Sequence, residues 1–519
     1  KAECPGQLGN RHLTSFMQRH PLLAPLFAGL ILRLVAAQFS TGYMMHDDHF
    51  LVVEAASSWI DGEDYNNWLP WNQSGTPAAK PANFTYVGSQ FLVFSALEWM
   101  GIANPKAQML WVRLLHGLFG CLTIVLGYLL SRALSPGQPK TAVHVAWMLA
   151  AGGLWPLLSV HQLVEMVSIP PLMLAFWMLA KQRDLGWKEI LFAGIGIGIA
   201  TGLRYQCGII GLALAPVLIL EGKWRELMGI GTTALVTFFV AQSPDLFVWG
   251  EPFVQLRGYI EYNQTHADNY PKGPWYQYLL TLLGLLIPPA SIMLLWGAFH
   301  KGKSASVVWW RVLVPVAAFL VFHSAFINKQ ERFILPIVPA LVALGAVGWQ
   351  TWKDQSQWWS RRPRLHTSLW GVFWGVNLLV LPFTLTYEAK KSRVSAMSFL
   401  HDNNAHHFAM IQVDSGAMPP QFYSGTWGTY HTDNRRDGKG QDPLKVAAQW
   451  CTHPPEFLLF QGHQHLGEAV QAYKNAMPDI RYVTTIQAGR VDRWLSQLNP
   501  INSSERIMIY AVEDALPCP

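Results

Sequence analysis

Charge is what this chain has least of. Of its 519 residues only 13% are Asp, Glu, Lys or Arg, while 51% are apolar. Soluble domains carry about 25% charged residues, so a wholly soluble globule is excluded. The deficit is confined to the first three-quarters, where apolar runs recur at the ~17–25 residues a bilayer requires. Cysteine is also scarce: Cys4, Cys121, Cys207, Cys451 and Cys518 show no metal-ligand spacing. No internal repeat and no low-complexity tract is present. The formal net charge of +6 is modest, and its basic residues cluster in short loops between apolar runs. That pattern encodes membrane topology and offers no nucleic-acid footprint.

The candidate spans begin with Leu22–Ser40 and continue through Ala107–Leu130, Thr141–Leu158, Met166–Leu179, Ile190–Leu203 and Gly208–Leu220. Ile230–Val240, Tyr276–Phe299, Val307–Phe326, Phe333–Trp349 and Leu369–Leu385 follow. They predict a polytopic α-helical membrane protein with about 11 to 13 spans over residues 1–386. Leu22–Ser40 is too long for a signal-peptide core and reads as a retained span. Phe84–Ile102 reads as a re-entrant or interfacial element. Basic residues mark alternate loops: Arg132 with Lys140, Lys181 with Arg183, Lys223 with Arg225, Lys301 with Lys303, and Arg361, Arg362 and Arg364. The positive-inside rule places these loops in the cytosol. The opposite loops then share one outer face, including a first extracytoplasmic acidic loop, 41–83. From 387 to 519 strand-like runs (Ala409–Val413, Phe457–Gln461, Tyr482–Ile486, Ile507–Val512) alternate with helical stretches, which predicts a small extracytoplasmic α/β domain. On that face Cys451 and Cys518 could pair. The sequons at Asn72, Asn83, Asn263 and Asn502 fall there too.

Several polar constellations gather on the outer face. His46-Asp47-Asp48-His49 follows the first span, and Phe50–Ala56 after it reads as an amphipathic surface helix. A helix N-cap explains one aspartate, but not two flanked by histidines. An acceptor hydroxyl needs a base as a new bond forms, and Asp48, with Asp47 beside it, suits that role. Asn328-Lys329-Gln330-Glu331-Arg332 packs charges into one turn between spans. Lysine as a point charge and arginine as a fork suit a phosphate, with Glu331 orienting one of them. Arg204 lies between two spans; it either pairs with Glu165 or Asp245 as structural glue or joins the anion site. His46, His49, Gln206, Asp245, Tyr262, Asn263 and His323 are further candidates for substrate binding or support.

These segments together resemble glycosyltransferase family 22, the polyprenol-phosphate-mannose-dependent mannosyltransferases of the GT-C class. The family's early His-Pro-Asp-Glu is matched by His46-Asp47-Asp48-His49. Its Asp-x-x-x-Tyr-Gly…Tyr-Asn loop is matched by Asp245 through Gly250 and Tyr262-Asn263. Its His-Ser…His-Lys-Glu-Glu-Arg-Phe-x-x-Pro is matched by His323-Ser324…Asn328-Lys329-Gln330-Glu331-Arg332-Phe333-Ile334-Leu335-Pro336. The resemblance places Asp48 at the catalytic aspartate. It implies an inverting transferase, a mannosyltransferase, that moves a sugar from a polyprenyl-phosphate donor to a glycan, lipid or protein acceptor. No cofactor or metal is implied. Asp47, His49, Asn328 and Gln330 depart from the family pattern and point to a bacterial branch. That implies an inner-membrane enzyme with a periplasmic catalytic face; the alternative is the endoplasmic reticulum, lumenal face. Similarity to bacterial aminoarabinose lipid-A transferases is limited to the early acidic loop and the layout. The competing class is a transporter or flippase of lipid-linked sugar, and a third reading is an inactive assembly subunit. The C-terminal domain could shape the acceptor site or recruit a protein partner.

Overall fold

The computed structural model describes residues 19–80, 82–266, 270, 272–301, 306–413, 416–436, 438–499 and 505–513. Among these, five helices are long and apolar enough to cross a membrane: Pro105–Leu134, Trp224–Val248, Val308–Ala325, Glu331–Gln355 and Pro363–Leu385. Leu23–Phe39, Val164–Ala180 and Tyr205–Leu220 are shorter apolar helices. The segment Glu331–Gln355 is almost wholly buried, whereas Trp224–Val248 and Pro363–Leu385 turn most of their apolar surface outward. A helix apolar on all sides belongs at the centre of a bundle, and outward apolar faces suit lipid.

The chain divides into two compact units. One comprises 1–37, 69–86 and 113–385; the other gathers 38–68, 87–112 and 386–519. A single cut at 386/387 separates only the last of these segments.

In the helical unit, small residues set the packing. Gly194, Gly198 and Gly202 recur every fourth residue along the helix Trp187–Leu203 and face the helix Trp224–Gln242. A Cβ added at Gly194 would lie 2.6 Å from Thr233 Cβ, at Gly198 2.6 Å from the Ala234 carbonyl, and at Gly202 2.5 Å from Ala241 Cβ. Close backbone approach of this kind is how helices associate inside a membrane. Two of the spans expected from sequence are broken. Thr141–Leu158 becomes Pro139–Ala151 and Trp155–Val160, separated at Gly152-Gly153. Tyr276–Phe299 becomes Gln277–Leu285 and Ala290–Ala298, separated at Ile287-Pro288-Pro289. Backbone groups freed at a break inside a bilayer need partners. Buried Arg33 donates to the carbonyls of Leu149 (3.1 Å) and Ala150 (3.3 Å). Thr384 Oγ1 donates to the Gly153 carbonyl at 2.6 Å, and Asn377 Oδ1 accepts from the Gly153 N–H.

The second unit carries a five-stranded sheet: β1 Phe408–Val413, β2 His431–Arg435, β3 Phe457–Gly462, β4 Ile480–Ile486 and β5 Arg506–Val512, in the order β2-β1-β3-β5-β4. β1 pairs in parallel with β2 and β3; β5 runs antiparallel to β3 and β4. The helices Leu466–Ala476 and Pro443–Ala447 pack Val470, Tyr473 and Val446 against Ile411, Leu458 and Phe460. The alternation of strand and helix expected after 387 is present. The edge strand β2 and the helix Lys391–Asp402 were not expected, because His431-Thr432-Asp433-Asn434-Arg435 has no apolar run to announce it.

Two expectations change here. Phe50–Ala56 does not lie along a surface with one face exposed: Phe50, Val52, Val53, Glu54, Ala55 and Ala56 are all buried. Its polar residue, Glu54, has partners inside the unit, so it needs no solvent-facing side. Asn83 is also buried, donating to the Leu203 carbonyl at 2.6 Å, so its sequon is engaged in packing. Cys451 is disulfide-bonded; Cys518 and Asn502 lie outside the described residues.

Candidate active site

In the helical unit, three elements bring charge together. Glu165 stands in the first turn of the helix Val164–Ala180, and Arg204 stands where the helix Trp187–Leu203 ends and the backbone becomes extended. Arg332 lies in the 3-10 helix Glu331–Ile337. Arg204 Nη1 donates to Glu165 Oε1 at 2.7 Å, with side-chain exposures of 8% and 0%. Arg332 Nε lies 3.6 Å from the same oxygen and donates to Gln330 Oε1 at 2.9 Å. The Arg204 guanidinium sits 5.0 Å from the Phe333 ring centroid. The carboxylate that orients Arg332 is therefore Glu165; Glu331, expected in that role, is exposed.

This cluster holds more hydrogen-bonding capacity than the protein uses. Arg204 Nε and Nη2, Glu165 Oε2 and His323 Nε2 are buried without a partner; so are Gln162 Nε2, three residues before Glu165, and Asn328 Oδ1, four residues before Arg332. Buried polar atoms are almost always paired, and exceptions mark places with another use. His323 Nδ1 donates to the Phe319 carbonyl at 2.8 Å, which leaves Nε2 of the neutral ring as an acceptor. The guanidinium thus offers N–H groups for anionic oxygens, while His323 and Asn328 offer acceptors for hydroxyls. Gln162 was not expected from sequence. Its only signal there is the polar doublet His161-Gln162 interrupting two apolar runs.

Other expected residues make hydrogen bonds within the protein itself. Lys329 is buried, and Nζ donates to the carbonyls of His323 (2.7 Å), Ser324 (2.7 Å) and Phe326. Its three protons satisfy the open C-terminal end of the helix Ser306–Ala325. Lys329 thus acts as a helix cap in this structure, with its ammonium turned to backbone carbonyls. Asp245 accepts from the Gln255 N–H at 3.0 Å and ties down the helix Val254–Thr265. Asn263 Nδ2 donates one turn back to the Tyr259 carbonyl, and Tyr262 bonds Tyr270 at 2.7 Å. Gln206 donates to the Tyr259 hydroxyl.

In the second unit the acidic segment forms one continuous helical stretch. It runs through the turn His46–Asp48, a π-helical turn His49–Val53 and the helix Glu54–Ser58. π-turns within helices are frequent at functional sites. Asp48 is 4% exposed and His49 2%. His49 Nε2 lies 2.9 Å from Glu54 Oε1, and both Glu54 oxygens accept from the Phe422 N–H at 3.1 Å. Burial pushes the Glu54 carboxyl well above its ordinary value. Burial, aided by the Lys390 charge, pulls the His49 imidazole down to about 3. Partial desolvation also lowers the His46 imidazole, and burial brings Lys390 down to about 8. Glu54 was legible only as one acid among several, because its partner Phe422 is remote in sequence. Among the described residues no group of His, Cys, Asp or Glu has an arrangement that would hold a metal ion.

Comparison with known proteins gives this arrangement a context. Human alpha-1,2-mannosyltransferase ALG9 is 25% identical over 182 residues, covering 31% of this chain and 30% of that protein. The undecaprenyl phosphate-alpha-4-amino-4-deoxy-L-arabinose arabinosyl transferase of Pseudomonas paraeruginosa is 24% identical over 263 residues, 45% of each chain. The chain thus matches less than half the length of either relative. In fold it is similar to ArnT from Cupriavidus metallidurans, solved with undecaprenyl phosphate, at a TM-score of 0.63 and 13% identity, covering 96% of this chain and 99% of that one. It is also similar to the Archaeoglobus fulgidus oligosaccharyltransferase, at a TM-score of 0.53 and 12% identity over 90% and 72%. These are GT-C architectures. The profile that matches residues 25–423, across the acidic turn and the arginine cluster alike, is that of the Alg9-like mannosyltransferases, and the chain belongs to that family.

Proposed function

We propose that the protein is an integral-membrane, inverting glycosyltransferase that takes a sugar, mannose by family, from a polyprenyl-phosphate donor. The observation that carries this reading is the Arg204–Glu165 pair. It is a buried guanidinium fixed by a carboxylate on one nitrogen and left with two nitrogens unpartnered. Such a group suits phosphate oxygens, because charge-assisted bonds to a planar fork are strong and directional. As the glycosidic bond to phosphate breaks, negative charge grows on the leaving oxygens. Arg204, with Arg332 beside the same carboxylate, is suited to stabilise it. His323 Nε2 and Asn328 Oδ1 are acceptors fit for sugar hydroxyls. A phosphate alone would need no such acceptors, so their presence favours a phosphosugar over a bare phosphate.

Asp48 is the base in this reading, with Asp47 beside it. The carboxylate takes the proton of the acceptor hydroxyl as that oxygen attacks the anomeric carbon, and the sugar inverts. The acceptor is a glycan, lipid or protein on the outer face. The outer face is supported by the alternation of basic loops and by the disulfide at Cys451, since disulfides persist outside the cytosol. A bacterial inner membrane with this face periplasmic is the preferred location.

The test uses purified protein with radiolabelled undecaprenyl-phosphate mannose and native membrane extract as the acceptor source. Transfer is expected from wild type and loss of transfer from Arg204→Ala. Transfer by Arg204→Ala at the wild-type rate would remove the cluster from the mechanism. No transfer by wild type, with transfer from an arabinose-linked donor, would replace mannose.

A further inference from the structure

We propose that the C-terminal segment is the positioning element of the acidic turn, acting through Arg393, Lys390, Phe422 and Tyr423; this rests on the reading of Asp48 as the base.

The chain on either side of Asp47-Asp48 is gripped by residues from beyond 386, all within one compact unit. On the near side, residues 40–44 are zipped to 387–390. Ser40 Oγ donates to the Tyr387 carbonyl at 2.8 Å, the Ala389 N–H to the Thr41 carbonyl at 2.9 Å, and Lys390 Nζ to the Met44 carbonyl at 2.9 Å. Gly42 permits this approach. Its φ is +86°, and a Cβ there would lie 1.7 Å from the Ala389 carbonyl oxygen, so only glycine fits.

Arg393 extends the grip. Its Nε and Nη2 donate to Glu505 Oε2 at 2.9 and 2.7 Å, and Nη1 reaches the Tyr43 hydroxyl at 3.4 Å. Gln461, on β3, donates to the other Glu505 oxygen. Tyr43 then stacks on His49, with centroids 4.4 Å apart and planes 17° from parallel. The other neighbour of His49 is Tyr423, at 5.8 Å and 14°. On the far side of the turn, Glu54 is held by the Phe422 N–H and by His49. Asp47 and Asp48 lie between these two clamps.

Mere packing does not explain the choice of residues. Burying a carboxyl, an imidazole and a guanidinium is less favourable than burying apolar side chains of the same volume. What a directional network adds is a single geometry. A base must stay within hydrogen-bond reach of the proton it removes, and misplacement by about 1 Å can cost on the order of 100-fold in rate.

The test compares Arg393→Met and the isosteric Tyr43→Phe with wild type in the mannose-transfer assay. Both are expected to lower kcat, Arg393→Met by about 10- to 100-fold, with donor KM changed by less than about twofold. In an Asp48→Asn background Arg393→Met should add no further loss, because its effect passes through the missing carboxylate. Hydrogen exchange of residues 43–49 should rise in Arg393→Met whatever the activity. Losses that multiply in the double variant, a change confined to KM, or unchanged exchange at 43–49 would each overturn the proposal. Wild-type activity in Asp48→Asn alone would instead reject the base and leave the exchange result to judge the clamp.

Discussion

Asp48, Arg204, Lys329 and Glu54 show how differently four buried polar residues can be used. As the proposed base, Asp48 should matter most: Asp48→Asn is expected to lower transfer by on the order of 10²–10⁴-fold, measured as initial rate at saturating donor. Lys329→Met should act differently from Arg204→Ala, because its ammonium already serves three carbonyls. It should lower thermal stability by about 1–3 kcal/mol, the cost of orphaned buried acceptors, while donor KM holds. A raised KM with unchanged melting would return Lys329 to the phosphate. Glu54 gives a pH signature. In the unfolded chain the imidazole of His49 and the carboxyl of Glu54 take up protons at their ordinary 6.5 and 4.5. When folded, the carboxyl holds a proton well above 4.5 and the imidazole stays neutral down to about 3. Between 6.5 and 4.5 the proton held by the folded carboxyl offsets the one gained by the unfolded imidazole, so stability falls less there than below 4.5. Below 4.5 the unfolded chain gains a second proton that the folded chain refuses, so stability falls as the pH drops toward 3. Glu54→Gln removes the carboxyl from both states, which moves the onset up to about 6.5, with a slope approaching about 1.4 kcal/mol per pH unit. Melting curves from neutral pH downward read this directly, and an identical onset in both proteins would contradict a neutral pair.

Among the elements, the helix Trp187–Leu203 is the one whose packing most directly sets the site. Its glycine stripe brings it onto Trp224–Gln242, and its last turn delivers Arg204 to Glu165. Gly198→Ala places a methyl 2.6 Å from the Ala234 carbonyl and Thr237 Cβ. The helices must part, at about 1–3 kcal/mol. Both a lower melting temperature and slower transfer are expected; slower transfer without lower melting would mean that Gly198 contributes otherwise. The stripe itself is written in the sequence, as are most apolar runs and four of the five strands. The interruptions were written there too, as Gly152-Gly153 and Pro288-Pro289, but long hydropathy hides a short break. Arg204 was legible as an ion-pair partner of Glu165 or Asp245, and the structure selects Glu165. What could not be read was any pairing at long range. Phe422 with Glu54 and Arg393 with Tyr43 are contacts between residues hundreds of positions apart, and no local pattern encodes them.

For the whole molecule, the same long-range pairing decides how the second unit holds together. Its sheet is closed by β5 near the end of the chain, and Cys451 is tied by a disulfide. Removing a native disulfide from a small domain typically costs about 2–5 kcal/mol. Cys451→Ser should therefore loosen this unit, read as increased proteolysis after residue 386, while the apolar helices keep their helicity. Unchanged proteolysis would show that the crosslink is dispensable. Glu505, the anchor of Arg393, is among the last residues described. During biosynthesis the residues around Asp48 emerge hundreds of residues before Arg393 and Glu505, which brace them. A ribosome that stalls before this point, or a chain clipped there, leaves a membrane-inserted protein whose acidic turn is unbraced. On the proposed function, such a polypeptide would meet the lipid-linked donor without transferring sugar, so the order of synthesis itself delays activity until the segment around Glu505 has been made.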